Sequence, residues 1–217
     1  MKGKFIIFEG PDYCGKSTQI RELYPTIGTN TVLFTREPGS WLPQSKCFCE
    51  AIRERVLFED NTVEQQAKLF ATARKVHTAE IISLINKGYT IISDRYIVSS
   101  LAYQGYAQYL GKDAVYEYNK DTIKLLKDHD ILIHCFKFNL TEEEWLNRRK
   151  SRFEDQAPDK LEQMTKMTER AYEFFNSPDI FNHYTDGLNM VVHEINANNT
   201  IEEQHREILK ILKSLIY

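Results

Sequence analysis

No apolar run in this 217-residue sequence approaches the roughly 20 residues that a membrane-spanning helix requires. The short apolar stretch near the start is interrupted by Glu9, so we expect no secretory signal peptide. An excess of either charge is also missing, since 28 lysines and arginines face 31 aspartates and glutamates. Proteins dedicated to duplex DNA usually carry a strongly basic surface, so the composition argues against that class and predicts no nucleic-acid partner.

Cysteine is scarce, and the four cysteines do not form a metal motif: Cys47 and Cys49 are the only close pair, beside the isolated Cys14 and Cys135. We therefore expect free thiols and a cytoplasmic protein, in the host cytoplasm if the chain is viral. Internal repeats, low-complexity tracts and linkers are absent as well. A chain of this length can bury one sizeable core, so residues 1–217 are predicted to form one domain.

Apolar segments that end at turn signals predict five strands, at residues 4–9, 31–35, 89–93, 130–138 and 190–195. Three candidate capping boxes mark the starts of helices between or after them: Thr62 with Gln65, Thr141 with Glu144, and Thr200 with Glu203. The first of these helices is expected to extend to about Asn86. Strands that alternate with helices predict an α/β fold, with a mostly parallel sheet covered by helices on both faces. Ligands of such sheets bind beyond the carboxyl ends of the strands.

The clearest motif is the segment from Gly10 to Thr18, GPDYCGKST, which matches the phosphate-loop pattern G-x-x-x-x-G-K-[ST] in full. It follows a predicted strand and can open a helix, as that motif requires. Its glycines let backbone N–H groups converge on phosphate oxygens, Lys16 supplies a positive charge, and the Ser17 hydroxyl can bind Mg²⁺. The segment predicts a nucleoside triphosphate site. Because the N-K-x-D sequence of GTPases is absent and the chain is short for a motor ATPase, a small kinase is favoured.

Charged residues follow two of the predicted strands. Asp94 and Arg95 end the third strand, where a carboxylate can hold Mg²⁺ and a guanidinium can clamp a phosphate. Arg36 follows the second strand in the same way. A neighbouring Asp and Arg can also form a simple local ion pair, but their position at the end of an apolar strand favours a functional role.

Aromatic and polar side chains near these positions suit a nucleobase. Phe70 and Arg74 are four residues apart and share one helix face, where they could offer a ring and hydrogen-bond donors to a base. The spacing alone favours a core phenylalanine beside a surface arginine. Tyr103 and Gln104 add a hydroxyl and an amide shortly after Arg95.

A basic run, Arg148-Arg149-Lys150-Ser151-Arg152, follows the fourth predicted strand. Such a run is often a solvated helix face. Phosphoryl transfer, however, needs cations that close over the transferring group and exclude water, so the run also fits a mobile lid.

Taken together, these segments resemble the thymidylate kinases. The resemblance rests on FEGPDYCGKST, TREPG, LFATAR, SDRYIVSSLAYQG and RRKSRFE, which occur in the family's order and approximate spacing from Lys4 to about Tyr172. It implies a P-loop nucleoside monophosphate kinase fold with three layers, a five-stranded sheet and a small mobile lid at about residues 147–157. It also implies Mg²⁺-dependent transfer of the ATP γ-phosphoryl group to dTMP, giving dTDP for dTTP biosynthesis, by a homodimer.

The resemblance assigns roles residue by residue. ATP would be bound by Gly10, Asp12, Tyr13, Cys14, Gly15, Lys16, Ser17 and Thr18. The dTMP site would comprise Asp12, Arg36, Phe70, Arg74, Arg95, Ser99, Ser100, Tyr103 and Gln104. In that site, Phe70 would stack on thymine and Tyr103 would guard against a 2′-hydroxyl. Mg²⁺ would be held by Ser17 and Asp94, and catalysis would fall to Lys16, Arg95, Arg148, Arg149 and Arg152.

The sequence departs from the family pattern in its phosphate loop and its lid. Some members carry a basic residue inside the loop, where this chain has Tyr13 and Cys14. Cationic assistance would then have to come from the lid arginines. The lid itself is short, because Phe153 and Glu154 follow Arg152 directly.

Two other functions stay open at the level of sequence. A kinase of the same fold could act on dUMP, on a modified pyrimidine monophosphate or on a nucleoside, and Glu37 could then serve as the base near a 5′-hydroxyl. The pair of Arg36 and Arg95 favours a monophosphate. The other possibility is a non-catalytic nucleotide-binding protein, which the completeness of the phosphate-binding set argues against.

Overall fold

Five parallel strands form the central sheet of the computed structural model, which describes residues 2–27, 31–153 and 158–216, and all of their side chains except those of residues 152–153 and 158–164. The strands are β1 (Phe5–Glu9), β2 (Val32–Arg36), β3 (Thr90–Asp94), β4 (Ile133–Asn139) and β5 (Met190–Asn196). Their order in the sheet is β2-β3-β1-β4-β5. The predicted α/β fold with a five-stranded parallel sheet is confirmed.

Helices cover both faces of this sheet. The helices of the described residues are α1 (Lys16–Ile27), α2 (Lys46–Phe58), α3 (Val63–Asn86), α4 (Ile97–Ser100), α5 (Lys112–Asp128), α6 (Glu142–Phe153), α7 (Pro158–Asn176), α8 (Pro178–Thr185) and α9 (Ile201–Ile216). A π-helix (Leu101–Ala107) continues α4 directly. None of the described helices is long and apolar enough to cross a membrane.

The central strand β1 is buried on both faces, which is why its sequence is a continuous apolar run. Successive side chains point to opposite faces, so Phe5 and Ile7 join a core with α3, α5, α7 and α8. Ile6 and Phe8 join a second core with α1, α6 and α9. Two apolar cores on either side of one sheet hold the carboxyl ends of the strands in fixed positions.

The strand register brings the predicted functional residues to one edge of the sheet. Phe8 on β1 is level with Asp94 on β3, and Asp94 is level with Arg36 on β2. The phosphate loop that follows β1 therefore lies beside the Asp94–Arg95 turn. This closeness of residues that are far apart in sequence follows from the parallel strand order alone.

The predicted strands are confirmed, with ends that differ by up to three residues. The capping boxes of α3 and α9 form as predicted, with both reciprocal hydrogen bonds. The third box forms only in half, because the Glu144 carboxylate binds Arg148 rather than the Thr141 backbone N–H, which donates to Asn198 instead. The predicted lid at about residues 147–157 begins inside α6, and residues 154–157 lie outside the described residues.

Candidate active site

The phosphate loop joins β1 to α1 and wraps around the Lys16 side chain. The Lys16 Nζ donates to the backbone carbonyls of Gly10 and Pro11, each at 2.8 Å. Gly10 and Gly15 adopt positive φ angles of 156° and 96°, and a Cβ on Gly10 would approach the Phe138 carbonyl to 2.9 Å. Glycine is therefore required at Gly10 both by conformation and by space.

Trp145 fastens the loop to α6. Its indole Nε1 donates to the backbone carbonyl of Asp12 at 3.1 Å, and its ring lies 4.8 Å from that of Tyr172 on α7. The Trp145 side chain is only 2% exposed. The helix α6, in which the predicted lid begins, is thus joined to the phosphate loop by a buried hydrogen bond.

A cavity of about 790 Å³, which we call the phosphate-loop cavity, opens beside Lys16. It is lined by Asp12, Tyr13, Gly15, Lys16, Ser17, Thr18, Gln19, Arg95, Glu144, Arg148, Ser151, Asn198, Asn199, Thr200, Ile201 and Gln204. Six of the eight residues predicted to bind ATP are in that lining. Gly10 and Cys14 are not, because both are buried beneath the loop, where the Cys14 Sγ accepts a hydrogen bond from Lys16 Nζ at 3.3 Å.

Ser17 and Asp94, the predicted Mg²⁺ ligands, are in direct contact. The Ser17 hydroxyl donates to the Asp94 carboxylate at 2.6 Å, at the carboxyl edge of the sheet. Mg²⁺ prefers oxygen ligands, retains several waters, and commonly takes one carboxylate together with substrate phosphates. These two oxygens fit that preference, and among the described residues no cluster of three or more His, Cys, Asp or Glu side chains could hold a metal by itself.

A second cavity, of about 420 Å³, lies on the other side of Arg95, and we call it the aromatic cavity. Eight of the nine residues predicted to bind dTMP line it, namely Asp12, Phe70, Arg74, Arg95, Ser99, Ser100, Tyr103 and Gln104. The exception is Arg36, which forms an ion pair with Glu50 at 2.9 Å and lies over the Trp41 ring.

Arg95 and Asp12 form the wall that the two cavities share. Arg95 donates to the Asp12 carboxylate and to the Ser99 hydroxyl, the latter at 3.0 Å, and its guanidinium lies over the Tyr103 ring. Burial alone would lower the pKa of Arg95, but Tyr103, Asp12 and Glu9 raise it well above its ordinary value. Burial would likewise raise the pKa of Asp12, but the charges of Arg95 and Lys16 and a hydrogen bond from Tyr103 together outweigh it and lower that pKa. Both groups therefore stay charged at neutral pH.

Arg74 lines the aromatic cavity from within a buried polar network. Its guanidinium donates to Glu37 at 2.6 Å, to Asn119 at 2.7 Å and to Ser100 at 3.0 Å. The other Glu37 oxygen lies 3.1 Å from the His77 ring. A guanidinium has five N–H donors, so two of those on Arg74 remain after these three bonds. Both oxygens of Glu37, in contrast, are already engaged.

The arginines of the predicted lid are placed differently from one another. Arg148 lines the phosphate-loop cavity and is held by Glu144 at 2.6 Å. Arg149 points elsewhere and pairs with Glu169 on α7 at 3.0 Å. The side chain of Arg152 lies outside the described residues.

Sequence patterns missed several residues of the site. Gln66, Gln108 and Met167 line the aromatic cavity. None of them belongs to a sequence motif, so no pattern indicates a functional role for them. In the sequence, Glu9 indicates only the end of an apolar run. Its carboxylate is fully buried, and this burial raises its pKa to about 7, against the lowering effects of Arg95 and of hydrogen bonds from Ser99 and Tyr96. A charged residue inside an otherwise apolar strand was the available signal.

The raised pKa of Glu9 predicts a pH-dependent stability. The folded-state pKa of about 7 exceeds the ordinary value of 4.5, so protonation of Glu9 favours the folded state. Its contribution to the free energy of unfolding is complete below pH 4.5 and is lost as the pH rises through 7. Between about pH 5 and pH 8 the wild type should lose about 3 kcal/mol of unfolding free energy relative to Glu9→Gln, which cannot titrate. Urea unfolding of both proteins across this range measures the difference, and a constant difference would contradict the pKa.

Comparisons with known proteins bear on the family to which the chain belongs. The family model described as Thymidylate kinase matches residues 8–208. A thymidylate kinase of Bacillus pumilus (strain SAFR-032) is 32% identical over 228 aligned positions, covering 100% of this chain and 98% of that protein. A thymidylate kinase of Limosilactobacillus reuteri (strain DSM 20016) is 40% identical over 132 positions, 57% of this chain and 59% of that protein. The chain belongs to the thymidylate kinase family.

Proposed function

We propose that this protein transfers the γ-phosphoryl group of ATP to dTMP in the presence of Mg²⁺, giving dTDP and ADP, a step toward dTTP. The observation that carries the proposal is the pair of adjoining cavities with Arg95 and Asp12 as their common wall. One cavity has the backbone and lysine of a phosphate loop, and the other has a phenylalanine and buried polar groups suited to a base. Two nucleotides bound in them would meet, phosphate to phosphate, at Arg95.

The donor nucleotide is proposed to occupy the phosphate-loop cavity. Backbone N–H groups of the loop and the start of α1 face its phosphates, and Lys16 exchanges its carbonyl partners for phosphate oxygens. Ser17 and Asp94 would hold Mg²⁺, which supplies charge neutralisation between the phosphates. Arg148, the described lid arginine in this cavity, is the candidate to face the transferring group. Arg149 and Arg152 stay predictions.

The acceptor nucleotide is proposed to occupy the aromatic cavity. Phe70 offers a ring for stacking, and the two remaining N–H groups of Arg74 can reach the polar edge of thymine. Arg95 would orient the acceptor phosphate at the wall. Arg36 is separated from this cavity by its ion pair with Glu50, and it would contribute only after exchanging that carboxylate for a phosphate.

The chemistry proposed is an in-line attack by an oxygen of the dTMP phosphate on the γ-phosphorus. A new phosphorus–oxygen bond forms as the bond to the β-phosphate oxygen breaks, and that oxygen leaves with its electron pair on ADP. The attacking oxygen is already anionic, so no side chain has to remove a proton. The protein's contribution is to align the two phosphates and to offset their charge.

This requirement separates the proposal from a nucleoside kinase. A nucleoside would need a carboxylate base at its 5′-hydroxyl, and the carboxylates of the described aromatic-cavity lining are those of Asp12 and Glu37. Asp12 is paired with Arg95, and both Glu37 oxygens are bound by Arg74 and His77. Their engagement favours a monophosphate acceptor.

We also propose that the protein is a cytoplasmic homodimer. Exposed apolar side chains on α2 and α3 support an interface there: Phe48, Leu57, Phe58 and Val76, between 39% and 83% exposed. Analytical ultracentrifugation should give twice the monomer mass at micromolar concentration, and Phe58→Asp should shift the protein to monomers. A wild-type protein that sediments as a monomer would contradict the dimer.

The function is tested by an ADP-release assay with ATP and Mg²⁺ against dTMP, dUMP, dCMP, dGMP, dAMP and thymidine. We expect rapid turnover with dTMP and little with thymidine. Lys16→Ala should fold normally yet lose about 10³-fold or more in kcat, because the charge opposite the transferring phosphoryl group is removed. Turnover confined to thymidine would instead indicate a nucleoside kinase. No ADP release with any acceptor would indicate a nucleotide-binding protein without kinase activity.

Phe70 tests the acceptor site separately. Loss of a stacking ring removes about 1–3 kcal/mol of base binding, so Phe70→Ala should raise the KM for dTMP by about tenfold or more and leave the KM for ATP unchanged. Phe70→Tyr, which keeps the ring, is the matched control and should stay close to wild type. An unchanged KM for dTMP in Phe70→Ala would remove this residue from the base site.

A further inference from the structure

Glu9 occupies a place where a carboxylate is costly. It ends the central strand β1 and has no exposed surface. Three donors surround it: the backbone N–H groups of Tyr96 at 2.7 Å and Ser99 at 3.2 Å, and the Ser99 hydroxyl at 2.6 Å. A buried charge is tolerated only with such compensation, so these three hydrogen bonds are what allows a carboxylate at this position.

These contacts fix the turn between β3 and α4. Arg95 has a φ angle of 68°, a left-handed conformation that is unfavourable for an arginine. Such a backbone persists only where its surroundings hold it. The Glu9 carboxylate binds the N–H of the next residue, Tyr96, and that of Ser99 one turn later. It thereby anchors the residues on the carboxyl side of Arg95 to the central strand.

Glu9 also sets the direction of the Ser99 hydroxyl. Because Ser99 donates its only proton to Glu9, its oxygen is left as an acceptor, and Arg95 Nη1 donates to it at 3.0 Å. The other guanidinium nitrogen binds Asp12. A continuous chain of hydrogen bonds therefore extends from Glu9 through Ser99 to Arg95, in the wall between the two cavities.

We propose that Glu9 is a positioning residue for the acceptor phosphate: it aims the Arg95 guanidinium through Ser99 and holds the left-handed turn beneath it. The inference deepens the proposed function, since it takes dTMP to lie in the aromatic cavity with its phosphate at Arg95. Glu9 itself contacts neither nucleotide. Its effect is confined to ligands that carry a phosphate at that position.

Glu9→Gln is the informative variant. It has nearly the same shape and can still accept from the two backbone N–H groups, but its amide nitrogen would donate to Ser99. The Ser99 hydroxyl could then no longer donate toward residue 9, and its proton would turn toward the side of the Ser99 oxygen that accepts from Arg95. Hydrogen bonds to charged groups are strong, so at pH 8, where Glu9 is ionised, dTMP binding measured by calorimetry should weaken about tenfold. Thymidine, which lacks the phosphate, should bind within about twofold of wild type.

Glu80→Gln is the matched control. Glu80 is also buried, and its carboxylate also accepts two backbone N–H groups, those of Gln44 at 2.9 Å and Ser45 at 2.7 Å. It lines neither the phosphate-loop cavity nor the aromatic cavity. Glu80→Gln should therefore leave the affinities for both dTMP and thymidine unchanged, whatever its effect on stability.

Coupling to Arg95 completes the test. In an Arg95→Ala background, Glu9→Gln should have no further effect on dTMP binding, because the group it aims is gone. With Arg95 present, Glu9→Asp, which keeps a carboxylate at this position, should bind dTMP more tightly than Glu9→Gln does. Equal weakening of dTMP and thymidine, or additive effects of the two substitutions, would overturn the positioning role alone. A wild-type protein that does not bind dTMP would overturn the proposed function, and this inference with it.

Discussion

The ion pair between Arg95 and Asp12 is the interaction on which the arrangement of both cavities depends. A guanidinium in a wall between two cavities is deprived of much of its hydration, and it is stable there only with anionic or polar partners on several sides. Asp12 comes from the loop after β1, Arg95 from the end of β3, and Tyr103 from the π-helix. The interactions of this one guanidinium therefore hold three separate segments of the chain together.

Two further arginines predicted to act in the site are paired in the same way. Arg36 is paired with Glu50, and Arg148 with Glu144, at 2.9 and 2.6 Å. These arginines are therefore paired with the protein's own carboxylates, whereas Lys16 is held by backbone carbonyls. In the proposed function, a phosphate that reaches these arginines would have to displace or share their carboxylate partners, so its binding would be an exchange of anions. Such an exchange would favour ligands with several negatively charged oxygens.

How much of this was predictable depends on whether the signal is local. The phosphate loop and the Asp94–Arg95 turn could be predicted, because a short motif or a strand end determines them. The positions of Phe70 and Arg74 on one helix face followed from helical spacing. Met167 and Gln108 were not predictable, since α7 meets the π-helix only through tertiary packing. The pairing of Arg36 with Glu50, and that of Arg149 with Glu169, depended on which nearby carboxylate could reach each arginine, which periodicity does not encode.

The hydrogen bond from the Trp145 indole to the Asp12 carbonyl has an optical consequence. The chain has two tryptophans, and they differ sharply in environment, since Trp41 is 45% exposed and Trp145 is 2% exposed. Trp145 should emit at shorter wavelength, and its emission responds to the electric field of the peptide group to which it donates. Any rotation of α6 relative to the phosphate loop would alter that field. The protein thus contains its own fluorophore at the joint between the loop and the helix, and Trp41→Phe would leave it as the sole reporter.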